Sequence, residues 1–383
     1  MEWLDRADRN PGSSGILSGR RPEKRCGIFP ILVAENSVVS TRSREDFVHT
    51  RFQFAPAWFV LLAASLLAPA PRAHATFSIV ARDSATGDIG VAVQSHYFAV
   101  GPIVPWAEPG VGAVATQSLV EVSYGPKGLQ LMRDGRSARQ ALQELLAQDQ
   151  YRDVRQVAMI DSDGGVAVHT GDKCIPDAGD RAGAQYSVQA NLMANKSVWP
   201  AMARAYETTK GDLAARLLAA LDAGQRAGGD IRGQQSAAIV IVRGKRSARP
   251  WADRILDLRV EDHPRPIEEL RRLVTLWRAY RHVDEGDALI TEGKIEEAMS
   301  AYLSASRLAP TNMEIVFWQA TALWKLGREK EATPLFRKVF AKERKWVALV
   351  PRLVPAGLLS DDPAAIKRIQ NLAPREGGTR GKR

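Results

Sequence analysis

Thr76 is the residue whose type and position most invite chemistry. It follows Ala73-His74-Ala75, a small-x-small triplet that closes the apolar run 57–70, AWFVLLAASLLAPA, with Arg51 ahead of the run. A positive residue, an apolar core and a small-residue site read as a secretory leader cleaved after Ala75. The run is too short to span a bilayer, which takes about 20 residues. Cleavage would make Thr76 the first residue of the mature chain. A threonine hydroxyl is a weak nucleophile inside a chain. At an N-terminus the α-amine, with a pKa of about 7.7–8.0, becomes a base on the same residue.

Other polar residues fall where strands end. Gln94, Ser95 and His96 close the run 89–93, and Thr116 and Gln117 close 111–116. Each group is read either as bordering the nucleophile or as an ordinary polar strand end. Asn191 follows 186–189 and is a candidate oxyanion donor or a loop cap. The loop GGDIRGQQS, 228–236, holds Asp230, Arg232 and Ser236. Asp230 and Arg232 suit a structural pair first, with Arg232 as a fork for a substrate carboxylate the alternative. The loop lacks the Lys-Ser/Thr of a phosphate-binding loop. His169 is a candidate substrate contact. With Cys174 it is also a weak nucleophile or metal pair, without the second pair a metal needs. No metal or organic cofactor is implied.

The elements that must position these residues are short strands and paired helices. Strands are expected at 76–81, 89–93, 111–116, 156–161, 165–169, 186–189, 237–242 and 256–260. Turns at Ser84–Asp88 and Ser162–Gly164 join two of the hairpins. Helices are expected at 125–134, 137–148, 197–208 and 211–226. Strands apolar almost throughout point to sheets buried on both faces, an α+β domain over 76–262.

Beyond a connecting helix at 263–279, the chain repeats with a spacing of 34 over 280–347. Ala288 matches Ala322, Leu289 Leu323, Gly293 Gly327, Glu297 Glu331, Ala298 Ala332 and Tyr302 Phe336. This resembles two tetratricopeptide repeats, helix hairpins at 281–292/295–308 and 315–326/329–342. Capping helices are expected over 348–372, at 346–359 and 362–371, before a basic tail at 373–383. Such repeats offer a concave face to a protein or peptide partner.

Composition sets outer limits. The 383 residues are 25% charged and 45% hydrophobic, which is ordinary for a globular protein. Two cysteines, Cys26 and Cys174, exclude a disulfide framework. The net charge of +10 falls to +7 once residues 1–75, with ten Lys/Arg and seven Asp/Glu, are set aside. No aromatic-interleaved basic patch appears, so nucleic acid is not an expected partner. Residues 1–47 lack periodicity, and a leader seldom begins so late. They are expected to be untranslated or disordered, with Val48 as the true start and 48–75 as the leader.

Several stretches together resemble a bacterial family of unknown function numbered 1028. They are TFSIVARDSATGDIGVAVQS at 76–95, AVGPIVPWAEPGVGAVATQS at 99–118, YGPKGL at 124–129 and VAVHTGDKCI at 166–175. QAN at 189–191, GGDIRGQQSA at 228–237 and LRVEDHPRPIEELRRL at 258–273 complete the set. The family is similar to the N-terminal-nucleophile hydrolases, which implies a four-layer αββα sandwich followed here by an all-α repeat domain. Family members without a leader begin Met-Thr-Phe, so Met removal there would expose the same Thr. The resemblance brings no substrate with it.

Two expectations follow. In the first, an exported protein, periplasmic or secreted, cleaves a C–N amide bond through Thr76 with Asn191 as oxyanion donor. Ser95, Thr116, Gln117, His169, Asp230, Arg232 and Ser236 would line its substrate site. In the second, the fold is catalytically silent and the repeats recruit a partner. Self-association fits either.

Overall fold

The computed structural model describes residues 75–374. The expectations for 1–47, for the leader up to His74, for Cys26 and for the tail from Arg375 lie outside the described residues.

Among the described residues ten strands form two antiparallel sheets. The first runs β10-β9-β2-β1-β8-β7 and the second β3-β4-β5-β6. In chain order they are β1 (Thr76–Arg82), β2 (Ile89–Ser95), β3 (Pro105–Glu108), β4 (Gly112–Ser118) and β5 (Arg155–Asp161). Then come β6 (Val166–Thr170), β7 (Gly179–Gly183), β8 (Tyr186–Asn191), β9 (Ser236–Val242) and β10 (Arg254–Val260). Strand β1 lies inside the first sheet, between β2 and β8, and only its last residue escapes burial.

Alternation along β1 assigns its two faces. Phe77, Ile79 and Ala81 join a core with Leu217, Leu221, Met202 and Ile267, which belong to helices. Val80 joins a second core with Val91, Ala113, Ala115 and Ala158, which fills the space between the sheets. A third core packs Val114, Val157 and Met159 of the second sheet against Leu129, Leu142 and Leu145. The order is therefore helices, sheet, sheet, helices. Helices α1 (Tyr124–Arg133) and α2 (Ala138–Gln148) cover the second sheet. Helices α3 (Val198–Thr208), α4 (Leu213–Arg226) and the start of α5 (Pro266–Thr291) cover the first. Local signals set the helix starts: Ser137 and Gln140 form a capping box at α2, and Asp212 accepts the Ala215 N–H at α4.

The C-terminal region is helical: α6 (Ile295–Leu308), α7 (Met313–Lys325), α8 (Glu329–Lys342) and α9 (Pro363–Gln370). Gly293 and Gly327 sit 34 residues apart at φ +76° and +74°, each ending one helix and turning the chain into the next. A side chain in this left-handed region would be strained. Phe317, Phe336, Phe340 and Trp324 centre one apolar core with Leu353, Leu359 and Ile369, and Tyr302 and Ala298 join a smaller one with Val283.

Two expectations need correction, and two strands were not expected. The connecting helix and the first repeat helix are one 26-residue helix, α5, because nothing at Tyr280–Arg281 breaks it. The helix expected at 346–359 is two short 3-10 turns, Arg344–Ala348 and Val350–Leu353, interrupted around Pro351. Strands β3 (PWAE) and β7 (GDRAG) lack an apolar run, and as end strands of their sheets they pair on one side only. Sequence periodicity had no signal to detect in either.

Candidate active site

Register brings four sequence candidates together. Thr76 stands opposite Ser95 on β2 and opposite Asn191 on β8, and Ser95 stands opposite Ser236 on β9. Directly opposed residues share a face of the sheet. All four are buried to within 1% of complete.

Thr76 Oγ1 lies 3.0 Å from Ser95 Oγ. Ser95 Oγ also donates to the carbonyl of Ala75, the residue before Thr76, at 2.6 Å. A hydroxyl has one proton to give. Ser95 spends it on Ala75, so Thr76 is the donor to Ser95. The same Ala75 oxygen accepts a second bond, from Arg232 Nη2, at 2.9 Å. Arg232 is held by Asp230, which takes Nη2 at 2.9 Å, Nε at 3.2 Å and the Arg232 backbone N–H at 2.9 Å. Asp230 also accepts the His96 N–H at 2.8 Å, and its side chain is wholly buried. Asp230 and Arg232 are thus a pair, and that pair aims a guanidinium N–H at the carbonyl bonded to the Thr76 nitrogen. Of the two readings of these residues, the structure shows the Asp230–Arg232 pair.

Asn191 has a different acceptor from the one expected. Its Nδ2 donates to Gln156 Oε1 at 3.0 Å and, at 3.4 Å, to the carbonyl of Thr76 itself. It steadies the strand at the Thr76 carbonyl, while Ser95 and Arg232 hold the carbonyl oxygen before Thr76. Ser236 pins the loop after β2, donating to the Tyr97 carbonyl at 2.5 Å and accepting the Val100 N–H at 3.2 Å.

Under Thr76 runs a chain of amides between the sheets. Gln189 Nε2 donates to Ser78 Oγ at 2.5 Å, and Ser78 donates to Gln117 Oε1 at 2.6 Å. Gln117 Nε2 reaches Gln156 Oε1 at 2.7 Å and the Thr76 carbonyl at 3.1 Å. Gln156 Nε2 reaches the Ala190 carbonyl at 2.9 Å. Polar groups this deep are tolerable because each finds partners. Ser78, Gln156 and Gln189 carried no motif. Their signal was only polarity inside otherwise apolar strands.

Thr116 does not join them. Alternation puts Gln117 with Ala113 and Ala115 between the sheets, whereas Thr116 lies with Val114 toward α1 and α2. There its hydroxyl donates to the Glu121 carbonyl at 3.1 Å. Gln94 is likewise one position off Ser95. It faces the helices beside Phe77, fully buried, and neither amide atom has a partner among the described residues. His169 stands on the second sheet and bonds the Arg152 carbonyl at 2.8 Å. Cys174 donates to the Arg155 carbonyl at 3.3 Å, and burial pushes its thiol pKa up. Neither adjoins Thr76, and the described residues contain no cluster of three His, Cys, Asp or Glu side chains.

Beside Thr76 is a small cavity lined by Thr76, Ser95, Tyr97, Ile103, Val104 and Gln117. Its free volume is about 10 Å³, room for roughly one water. A roomier cavity of about 590 Å³, with Arg82, Lys245 and Arg246 in its wall, opens at the other end of β1 and contains none of the sequence candidates.

The architecture is a two-sheet α+β domain with a helical C-terminal region, and its buried polar site sits at the head of a central strand. The chain belongs to the family of unknown function DUF1028, which matches residues 76–270. Among solved structures, a family member from Silicibacter pomeroyi is 32% identical. The match covers 52% of this chain and 84% of that one, with a TM-score of 0.47. No curated protein matches.

Proposed function

We propose that the protein is an exported amide hydrolase of the N-terminal-nucleophile kind, activated when its leader is removed after Ala75. One observation carries this reading. The Thr76 hydroxyl heads a central strand, 3.0 Å from Ser95 Oγ, next to a carbonyl oxygen gripped by Ser95 and Arg232. The helix–sheet–sheet–helix order supports a four-layer sandwich of that class.

In the mature chain Thr76 Oγ attacks the substrate carbonyl carbon, and its proton passes to the Thr76 α-amine. Negative charge gathers on the carbonyl oxygen, where Ser95 and Arg232 donate. The C–N bond then breaks, the leaving amine takes the proton from the α-ammonium, and an ester remains on Thr76. Water adds to that ester, giving its proton to the α-amine, and the acid is released with the hydroxyl restored. The amides at Gln117 and Asn191 hold the Thr76 backbone still through these steps.

The test is hydrolysis of a panel of aminoacyl and acyl arylamides by the exported protein and by Thr76→Ala. The reading expects activity in the first and none in the second. Equal activity in both rejects Thr76 as nucleophile.

A second reading, a silent scaffold acting through tetratricopeptide-like hairpins, draws on one feature. Before cleavage the cavity beside Thr76 admits about one water, too little for a substrate. The paired helices offset by 34 residues, with α5–α6 followed by α7–α8, are its partner-binding face. An exported chain that keeps Ala75 would favour it.

A further inference from the structure

Ala75 behaves as a bound ligand. Its oxygen takes two directed bonds, from Ser95 Oγ at 2.6 Å and Arg232 Nη2 at 2.9 Å. Its methyl is fully buried in the core that also holds Phe77, Ala190 and Met193. One half of this environment recognises an oxygen and the other admits a methyl group. The recognising half is built for the purpose. Asp230, wholly buried, uses its carboxylate to orient Arg232, and Asp230 is tied by an isolated bridge to Met193, just past the end of β8. A guanidinium fixed in this way suits a carboxylate better than a neutral carbonyl, because the charge-assisted bond is the stronger one.

Cleavage of the Ala75–Thr76 bond turns that carbonyl into a carboxylate and lets it leave. The oxygen position between Ser95 and Arg232 and the methyl-sized hole are then open together. We infer that in the mature protein this place is a binding subsite for peptides or acyl groups ending in an alanine-sized residue, with the carboxylate or carbonyl oxygen held by Ser95 and Arg232. The inference rests on the proposed cleavage and names the acyl side of the substrate: alanyl-like, not bulky. Asp230 is a positioning residue here, acting through Arg232. The intact chain fills the subsite with its own Ala75 and excludes other ligands.

The probe is the tripeptide Ala-His-Ala with a free carboxylate, titrated calorimetrically into two forms of the protein. Every described strand and helix lies at or after Thr76. The first form is therefore a chain started as Met-Thr76, with Met removal verified by mass and its fold by circular dichroism against the intact chain. The second form is the intact chain retaining Ala75. The subsite predicts binding to the first and none to the second. Replacing the carboxylate by an amide, or the last residue by Leu, should weaken binding by about tenfold or more, as should Arg232→Gln. Arg232→Lys, which keeps the charge without the fork, guards against a folding defect and should retain part of the affinity.

No binding to the Thr76-initiated chain, equal binding by folded Arg232→Gln, or equal binding of the Leu peptide would each overturn the inference. The two proposals fail separately. Binding without any Thr76-dependent amide hydrolysis rejects the hydrolase and keeps the subsite. Hydrolysis indifferent to acyl size, without tripeptide binding, keeps the hydrolase and rejects the subsite.

Discussion

The hydroxyls of Thr76 and Ser95 are 3.0 Å apart, and in the intact chain the proton between them belongs to Thr76. Ser95 has already given its own to Ala75. Removing Ala75 frees the same Ser95 proton for the substrate oxygen on which charge develops. Ser95→Ala should therefore lower kcat by roughly 10²-fold, the ordinary effect of deleting one such donor. KM should move much less. Steady-state kinetics on the best arylamide checks it, and an unchanged kcat would remove Ser95 from the chemistry.

Gln117 links Ser78, Gln156 and the Thr76 carbonyl. Gln117→Leu leaves buried partners on both sheets unsatisfied, at a cost of about 1–3 kcal/mol. Urea unfolding should show that loss. Because the Thr76 backbone also loses a support, activity should fall further than stability explains.

Gln94 is the opposite case. Its amide is fully buried and unpartnered among the described residues. Burying such a group carries a desolvation penalty, and a leucine would not. Gln94→Leu should raise stability by about 1 kcal/mol, read as a higher urea midpoint at unchanged slope. A lower midpoint would mean that the amide has a partner in solution.

Cys174 is buried, and its thiol pKa lies above the usual value because burial disfavours the thiolate. Less thiolate is present at any given pH below that raised pKa. Alkylation by iodoacetamide at neutral pH should be slower than for a free cysteine, and its rise with pH should be displaced upward. Rapid labelling at pH 7 in the folded protein would contradict the burial.

The hairpin of β1 and β2 was legible because a five-residue turn separates two apolar runs, and it already placed Ser95 near Thr76. The choice between Thr116 and Gln117 was not legible. Alternation says that only one can face Thr76. Which one depends on the second sheet lying on the Ser78 side, a packing fact written nowhere near either residue. The same holds for Asn191 and Gln156, which meet only because the two sheets stack. Arg232 was recognisable as a fork, but its target was not. That target is set by the buried Asp230 and by a turn at Gly233 with φ +111°. The repeats were visible as a spacing, and that framing hid the continuity of α5, where the chain carries no breaker.

The central claim is that Thr76 becomes the N-terminal nucleophile, and peptide mapping after treatment with a β-lactone tests it most directly. The exported protein should yield a first peptide that begins at Thr76 and carries the acyl adduct on that residue, with no adduct in Thr76→Ala. A first peptide that extends back through Ala75, or a Thr76 terminus left unmodified while another residue is labelled, would contradict the account.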